Sequence, residues 1–244
     1  MRKDITIAKV PWGVRDVLKI LLLTFVVPML VFVLLIGLSR LGVLPESFRQ
    51  AIKNSDGIVS IILTAVTVMT EIGLILWLLI KYKLKISDIG IRRFSILKAI
   101  GYIVGAIVLF LILVSVAFVL VVVIAPSIDL NESQDVGFEF GKFGWGLWIS
   151  FAFTVVIVPI IEELYFRGII LPALAKKYGW VIGIAGSSAI FAVLHGQYNV
   201  MIYTFILGCV LSVMYIRLKS IVPGIIVHVI NNAVAFMLIA GIIR

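Results

Sequence analysis

Charge is what this sequence has least of. Only 14% of its 244 residues are Asp, Glu, Lys or Arg, against about a quarter in soluble domains, while 63% are hydrophobic. A soluble core cannot absorb that much apolar surface, and a mean hydropathy of +1.25 makes the bilayer its solvent. Cysteine is almost missing: Cys209 stands alone, which excludes an internal disulfide and any multi-cysteine metal site. In its apolar run Cys209 reads as a small buried hydrophobe rather than a nucleophile. Long polar tracts are missing too. The longest polar connection, APSIDLNESQDVGFEFGKFG, is only a loop, so no soluble domain is hidden between the apolar runs. There is no strong repeat and no low-complexity tract. The N-terminal stretch MRKDITIAKVPWGVRDVLK lacks a small-residue cleavage site, and the run after it is too long for a signal h-region, so it reads as a retained cytoplasmic arm.

What is present is a set of apolar runs at about 17–39, 58–80, 97–125, 144–161, 180–195, 200–216 and 221–242. At ~20 residues per span they predict an all-α, polytopic transmembrane bundle of about seven helices, with six to eight allowed by the two shorter runs. The chain reads as one integral membrane domain. Residues 1–143 form the arm and N-terminal helices, and 144–244 a C-terminal helical bundle.

The formal net charge of +9 is unevenly placed. Alternate connections carry the lysines and arginines: Lys3, Lys9 and Arg15 in the arm, Lys81, Lys83 and Arg92 in the second, then Lys176, Lys177, Arg217 and Lys219. The connections between them hold only Arg40, Arg49, Lys53, Lys142 and the terminal Arg244, and are rich in acids: Asp129, Glu132, Asp135 and Glu139. The positive-inside rule then places the N-terminus in the cytoplasm, in a multi-pass protein of the plasma (inner) membrane. Basic connections of this kind meet membrane lipid head groups. No basic stripe with interleaved aromatics appears, so nucleic acid is not an expected partner.

An ionisable residue inside a membrane helix is a functional hypothesis by default. Those present are Glu71 in VTVMTEIGLIL, Glu162, Glu163 and Arg167 in IIEELYFRGIILP, His195 in FAVLHGQYN, and His228 beside Asn231 and Asn232 in IIVHVINNAVAF. Both histidines of the chain lie in or at the end of a span. His228 and Asn232 are four apart and share a face, as would His195 and Asn199 if Gly196 does not break their helix. Glu163 and Arg167 are spaced for a helical ion pair, whereas Glu162 points ~100° away from Glu163. The adjacent glutamates therefore cannot do the same job. A Glu–Arg pair can also simply neutralise itself and pin helices together, and His–Asn pairs serve as interhelical glue. The convergence of the whole set favours chemistry over packing. Glu71 stands apart as structural support, with a proton-relay or substrate-contact role as the alternative.

A carboxylate in a partly desolvated pocket can act as general base on water, with a histidine orienting that water. A second histidine and an asparagine amide can hydrogen-bond the oxyanion of a tetrahedral intermediate. These parts suit amide hydrolysis by water, and no Ser–His or Cys–His pairing calls for an acyl-enzyme. A zinc alternative uses the same atoms, with Glu162, His195 and His228 as ligands drawn from separate helices, since no H-E-x-x-H occurs. A reading from another class is a non-catalytic transporter, or a bacteriocin-immunity protein that binds a peptide in the same pocket.

EELYFR reads as EExxxR, FAVLH as FxxxH and HVINN as HxxxN, in that order. With RLKSIVPGIIVH leading into the last, residues 144–236 resemble the CAAX-protease and bacteriocin-processing (CPBP, or Abi) family of intramembrane proteases, which includes the type II CAAX prenyl endopeptidases. The resemblance implies Glu162 as catalytic base, with Glu163 and Arg167 as its support. It implies that His195 positions the water with Glu162, while His228 and Asn232 stabilise the oxyanion. It further implies an endopeptidase acting on a membrane-anchored, lipidated or hydrophobic peptide or protein. The family is often labelled metalloprotease, although a glutamate mechanism without metal is also proposed for it, so zinc stays open as a cofactor. One tension follows from straight spans. At 1.5 Å per residue, His228 lies ~10 Å inside one face and His195 near the other, so a shared site requires a broken or tilted segment at 180–199.

Overall fold

In hydrocarbon a backbone must satisfy its own N–H and C=O groups, and for a run of apolar residues the helix does so within the segment. The computed structural model describes residues 10–53, 57–125, 127, 148 and 150–242, and every regular element among these is helical. The polar connection after Ala125, most of the arm through Lys9, the beginning of the expected 144–161 run and Arg244 lie outside the described residues. The helices are α1 (Val14–Arg40), the short α2 (Glu46–Lys53), α3 (Gly57–Lys81), α4 (Ile96–Ile124), α5 (151–178), α6 (Trp180–Val193), α7 (Tyr198–Leu218) and α8 (Val222–Ile239). Five of them, α1, α3, α4, α7 and α8, are long and apolar enough to cross a membrane. The protein is an all-α membrane bundle, as its apolar runs predict.

Helix α4 makes the lipid boundary plain. Of its 29 residues only Ala99, Ala106 and Phe110 are buried. Ala106 and Phe110 pack on Leu207, Leu211 and Met214 of α7 with Ile103, Ile107 and Val114 partly buried beside them, and most of the other large apolar side chains of the helix are exposed. Helix α5 is the opposite case. Every residue from Glu163 to Pro172 is buried, so protein surrounds the helix on all sides. That enclosure carries α5 on to Tyr178, past the end near residue 161 that hydropathy suggests.

Two stretches of α5, Ala152–Ile157 and Leu164–Ile170, are π-helical. Each precedes a proline. Pro159 and Pro172 lack the N–H that would bond the carbonyls of Val155 and Gly168, and the wider turn absorbs both the lost bond and the ring clash. Carbonyls inside the π turns are taken up by neighbours. Trp12, fully buried, donates Nε1–H to the Ile169 carbonyl at 2.9 Å, and Ser187 Oγ donates to that of Phe166 at 3.2 Å.

Helix α6 packs tightly on α5 and α7 through small residues: a Cβ on Gly183 would lie 2.9 Å from Ala175, and one on Gly208 2.9 Å from Ser188. It is 14 residues long, about 21 Å, too short for a ~30 Å hydrocarbon core. After it the chain turns through Gly196, whose φ of +75° suits glycine. At one end of the bundle, Lys81 pairs with Asp16 at 2.7 Å, Lys176 Nζ donates to the Val10 carbonyl at 2.7 Å, and Ser220 Oγ donates to that of Arg92 at 2.9 Å. The basic connections therefore gather at a single end.

Candidate active site

The middle of α5 sets Glu162 and Glu163 on different faces. Glu163 is 1% exposed, and its Oε1 accepts a hydrogen bond from Arg167 Nη1 at 2.7 Å. Arg167, equally buried, donates from Nη2 to the Gly208 carbonyl at 3.2 Å and lies over the Phe191 ring at 4.8 Å. An ion pair this deep is tolerable only with such additional partners. Glu162 is half-buried and turns into a cavity of about 520 Å³. Neither Glu163 nor Arg167 lines that cavity; they sit behind its wall.

His228, on α8, connects the two glutamates. Its Nδ1 is 3.0 Å from Glu163 Oε1, and its Nε2 is 3.6 Å from Glu162 Oε2. A carboxylate only accepts, so Nδ1 carries the proton toward Glu163 and Nε2 is the atom left on the Glu162 side. The second distance is beyond hydrogen-bond range, which leaves Nε2 available to a third group.

His195 follows the C-terminal end of α6. Its Nδ1 donates to the Phe191 carbonyl at 2.8 Å, since a carbonyl can only accept, and this fixes the tautomer with Nε2 as the free atom. Phe191 stands between the histidines, its ring 4.7 Å from that of His195 and 5.7 Å from that of His228. The shortness of α6 removes the depth conflict between His195 and His228, because the helix stops before the far face and both histidines line one cavity.

Asn232 is one turn beyond His228 on α8. Its Nδ2 donates to the Thr154 carbonyl, inside the first π segment, at 3.0 Å, and its Oδ1 accepts from Asn231 Nδ2 at 3.3 Å. Asn231 Oδ1 in turn accepts from the Tyr203 hydroxyl. The chain Tyr203–Asn231–Asn232–Thr154 thus orients the motif asparagine, leaving one amide hydrogen of Asn232 uncommitted. Sequence reasoning passed over Tyr203, which reads as one more aromatic in an apolar run, and put Asn231 outside the motif. The available signal was that both carry polar atoms inside a span. Glu71 of α3 also lines the cavity, whereas Asn199 is not among its lining residues.

Glu162, His195, His228 and Asn232 therefore share one cavity, with Glu163 and Arg167 directly behind it. Among the described residues no three of His, Cys, Asp and Glu are grouped so as to hold a metal ion. No curated protein and no solved structure matches the chain. A family model described as Type II CAAX prenyl endopeptidase Rce1-like matches residues 144–234, the stretch that holds all three motifs, and the CAAX-protease resemblance of this region is thereby recognised.

Proposed function

We propose that the protein is an intramembrane endopeptidase of CAAX-protease type, hydrolysing a peptide bond in a membrane-anchored, lipidated or hydrophobic substrate. The observation that carries this reading is the separation of the glutamates: Glu163 is occupied by Arg167 and His228, while Glu162 faces the cavity. Glu162 takes a proton from water held between it and His195 Nε2, and the hydroxide adds to the scissile carbonyl. The oxyanion of the tetrahedral intermediate is met by the remaining Asn232 N–H and, in its doubly protonated form, by His228 Nε2–H. Collapse expels the amine, which leaves with the proton returned from Glu162. The basic end of the bundle supports an orientation with the N-terminus in the cytoplasm, in the plasma membrane.

The test is Glu162→Gln in purified protein, followed with a fluorogenic lipidated peptide. Turnover should fall by about 10²–10⁴-fold. Unchanged cleavage would remove Glu162 as the base. A wild-type protein that cleaves none of a broad peptide set would favour a binding or transport role for the same cavity.

A further inference from the structure

The cavity has a second wall, outside the family-matched residues. It is built by Thr24 of α1 and by Thr64, Thr67 and Glu71 of α3. The α3 residues are three and four apart and share a face. Further along that face Ile75 and Leu78 are buried and apolar, so the polar stripe stops at Glu71. Glu71 is 7% exposed, yet it makes no hydrogen bond or ion pair with any described residue. Two of the wall's hydroxyls are already committed: Thr67 Oγ1 donates to the Leu63 carbonyl at 2.9 Å, and Thr24 Oγ1 to that of Ile20 at 3.0 Å while also bonding Tyr165. Glu71 lines the cavity, and in a membrane bundle an ionisable group placed this way marks a place where something else binds.

An ionised carboxyl only accepts, so its partner is a donor. Among the described residues, the cavity is lined by the two carboxyls of Glu71 and Glu162 and by no lysine or arginine. Backbone amides need only a neutral acceptor, whereas a cationic donor to a carboxylate makes a bond roughly twice as strong as a neutral pair. We propose that Glu71 is a specificity-determining residue that receives a lysine or arginine side chain of the peptide substrate, next to the scissile bond and across the cavity from Glu162. The inference rests on the peptidase reading for what the ligand is, but its test does not need turnover.

The probes are fluorogenic lipidated peptides with lysine, norleucine or glutamate at each position flanking the cleaved bond. Cleavage is measured with wild type, Glu71→Gln and Glu71→Asp. Binding of the same peptides is measured by fluorescence anisotropy on Glu162→Gln and on the double variant Glu71→Gln/Glu162→Gln. Wild type should prefer lysine over norleucine by roughly tenfold in kcat/KM at one position. Glu71→Gln should bring that ratio near unity, and Glu71→Asp should keep a preference. The lysine preference in binding should likewise be lost from the double variant. A wild-type ratio near one at every position overturns the inference whether or not the variants fold. Cleavage with no charge preference overturns it and leaves the peptidase reading standing. A lysine preference in binding that depends on Glu71, with no cleavage by wild type, supports the inference and overturns the peptidase reading. Neither binding nor cleavage overturns both.

Discussion

His228 meets the Glu163 carboxylate through Nδ1 at 3.0 Å, and this contact ties the last motif of the chain to the first. Glu163 is thereby shared between a cation on its own helix and an imidazole on another, which leaves Glu162 as the member of the adjacent pair that faces the cavity.

The shared carboxylate separates stability from chemistry. Arg167→Leu alone leaves the buried Glu163 without its cation, with only the His228 imidazole beside it, and should cost about 3–5 kcal/mol, read as a lowered unfolding midpoint in detergent. The double variant Glu163→Leu/Arg167→Leu should recover much of that midpoint, because an apolar pair needs no desolvation. It should recover no activity, since His228 loses the group that orients it.

Asn232 is expected to act in the transition state. Asn232→Ala should lower kcat by about 10²–10³-fold with little change in KM, as loss of an oxyanion donor does. Tyr203→Phe breaks the link to Asn231 but keeps the ring packed edge-on to Phe110 at 4.8 Å. It should lower kcat more modestly and leave the unfolding midpoint nearly unchanged.

Exhaustive dialysis against a strong chelator should leave turnover intact if Glu162 and His195 activate water by themselves. Loss of activity that returns on adding zinc, together with zinc found by elemental analysis, would instead assign Glu162, His195 and His228 to a metal.

Trp12 joins the N-terminal arm to the π turn beside the site. Trp12→Ala removes a fully buried indole and orphans the Ile169 carbonyl, and should destabilise the protein by about 3–5 kcal/mol. Trp12→Phe keeps most of the volume and should cost nearer ~1–3 kcal/mol, the penalty for the unmet carbonyl. Thermal unfolding of the two variants side by side separates packing from hydrogen bonding.

Long apolar helices such as α4 are legible in the sequence because a long apolar run that protein does not bury needs a membrane, and only three of the 29 residues of α4 are buried. The three motifs are legible because ionisable groups are rare in spans. Helix α5 is harder to read, since its continuation past residue 161 depends on neighbours that enclose Arg167 and its flanks. The depth of His195 depends on where α6 stops, and Gly196 hints at that stop without giving its height in the bundle. Glu71 shows the same limit: its sequence neighbourhood is an ordinary apolar helix, and only the packing of α3 brings it to the cavity that holds Glu162.

The π turns of α5 have one more consequence. A π turn holds one residue more than an α turn, so each acts as an insertion that the helix absorbs without unwinding. Glu162 and Glu163 lie between two of them. Deleting a single residue from Ala152–Ile157 would turn the residues ahead of the deletion by ~100° against the glutamates. The Thr154 carbonyl would then swing away from Asn232, with every residue of the motifs unchanged. In α5 the length of the chain ahead of the motif sets the aim of the site as firmly as the motif's own letters.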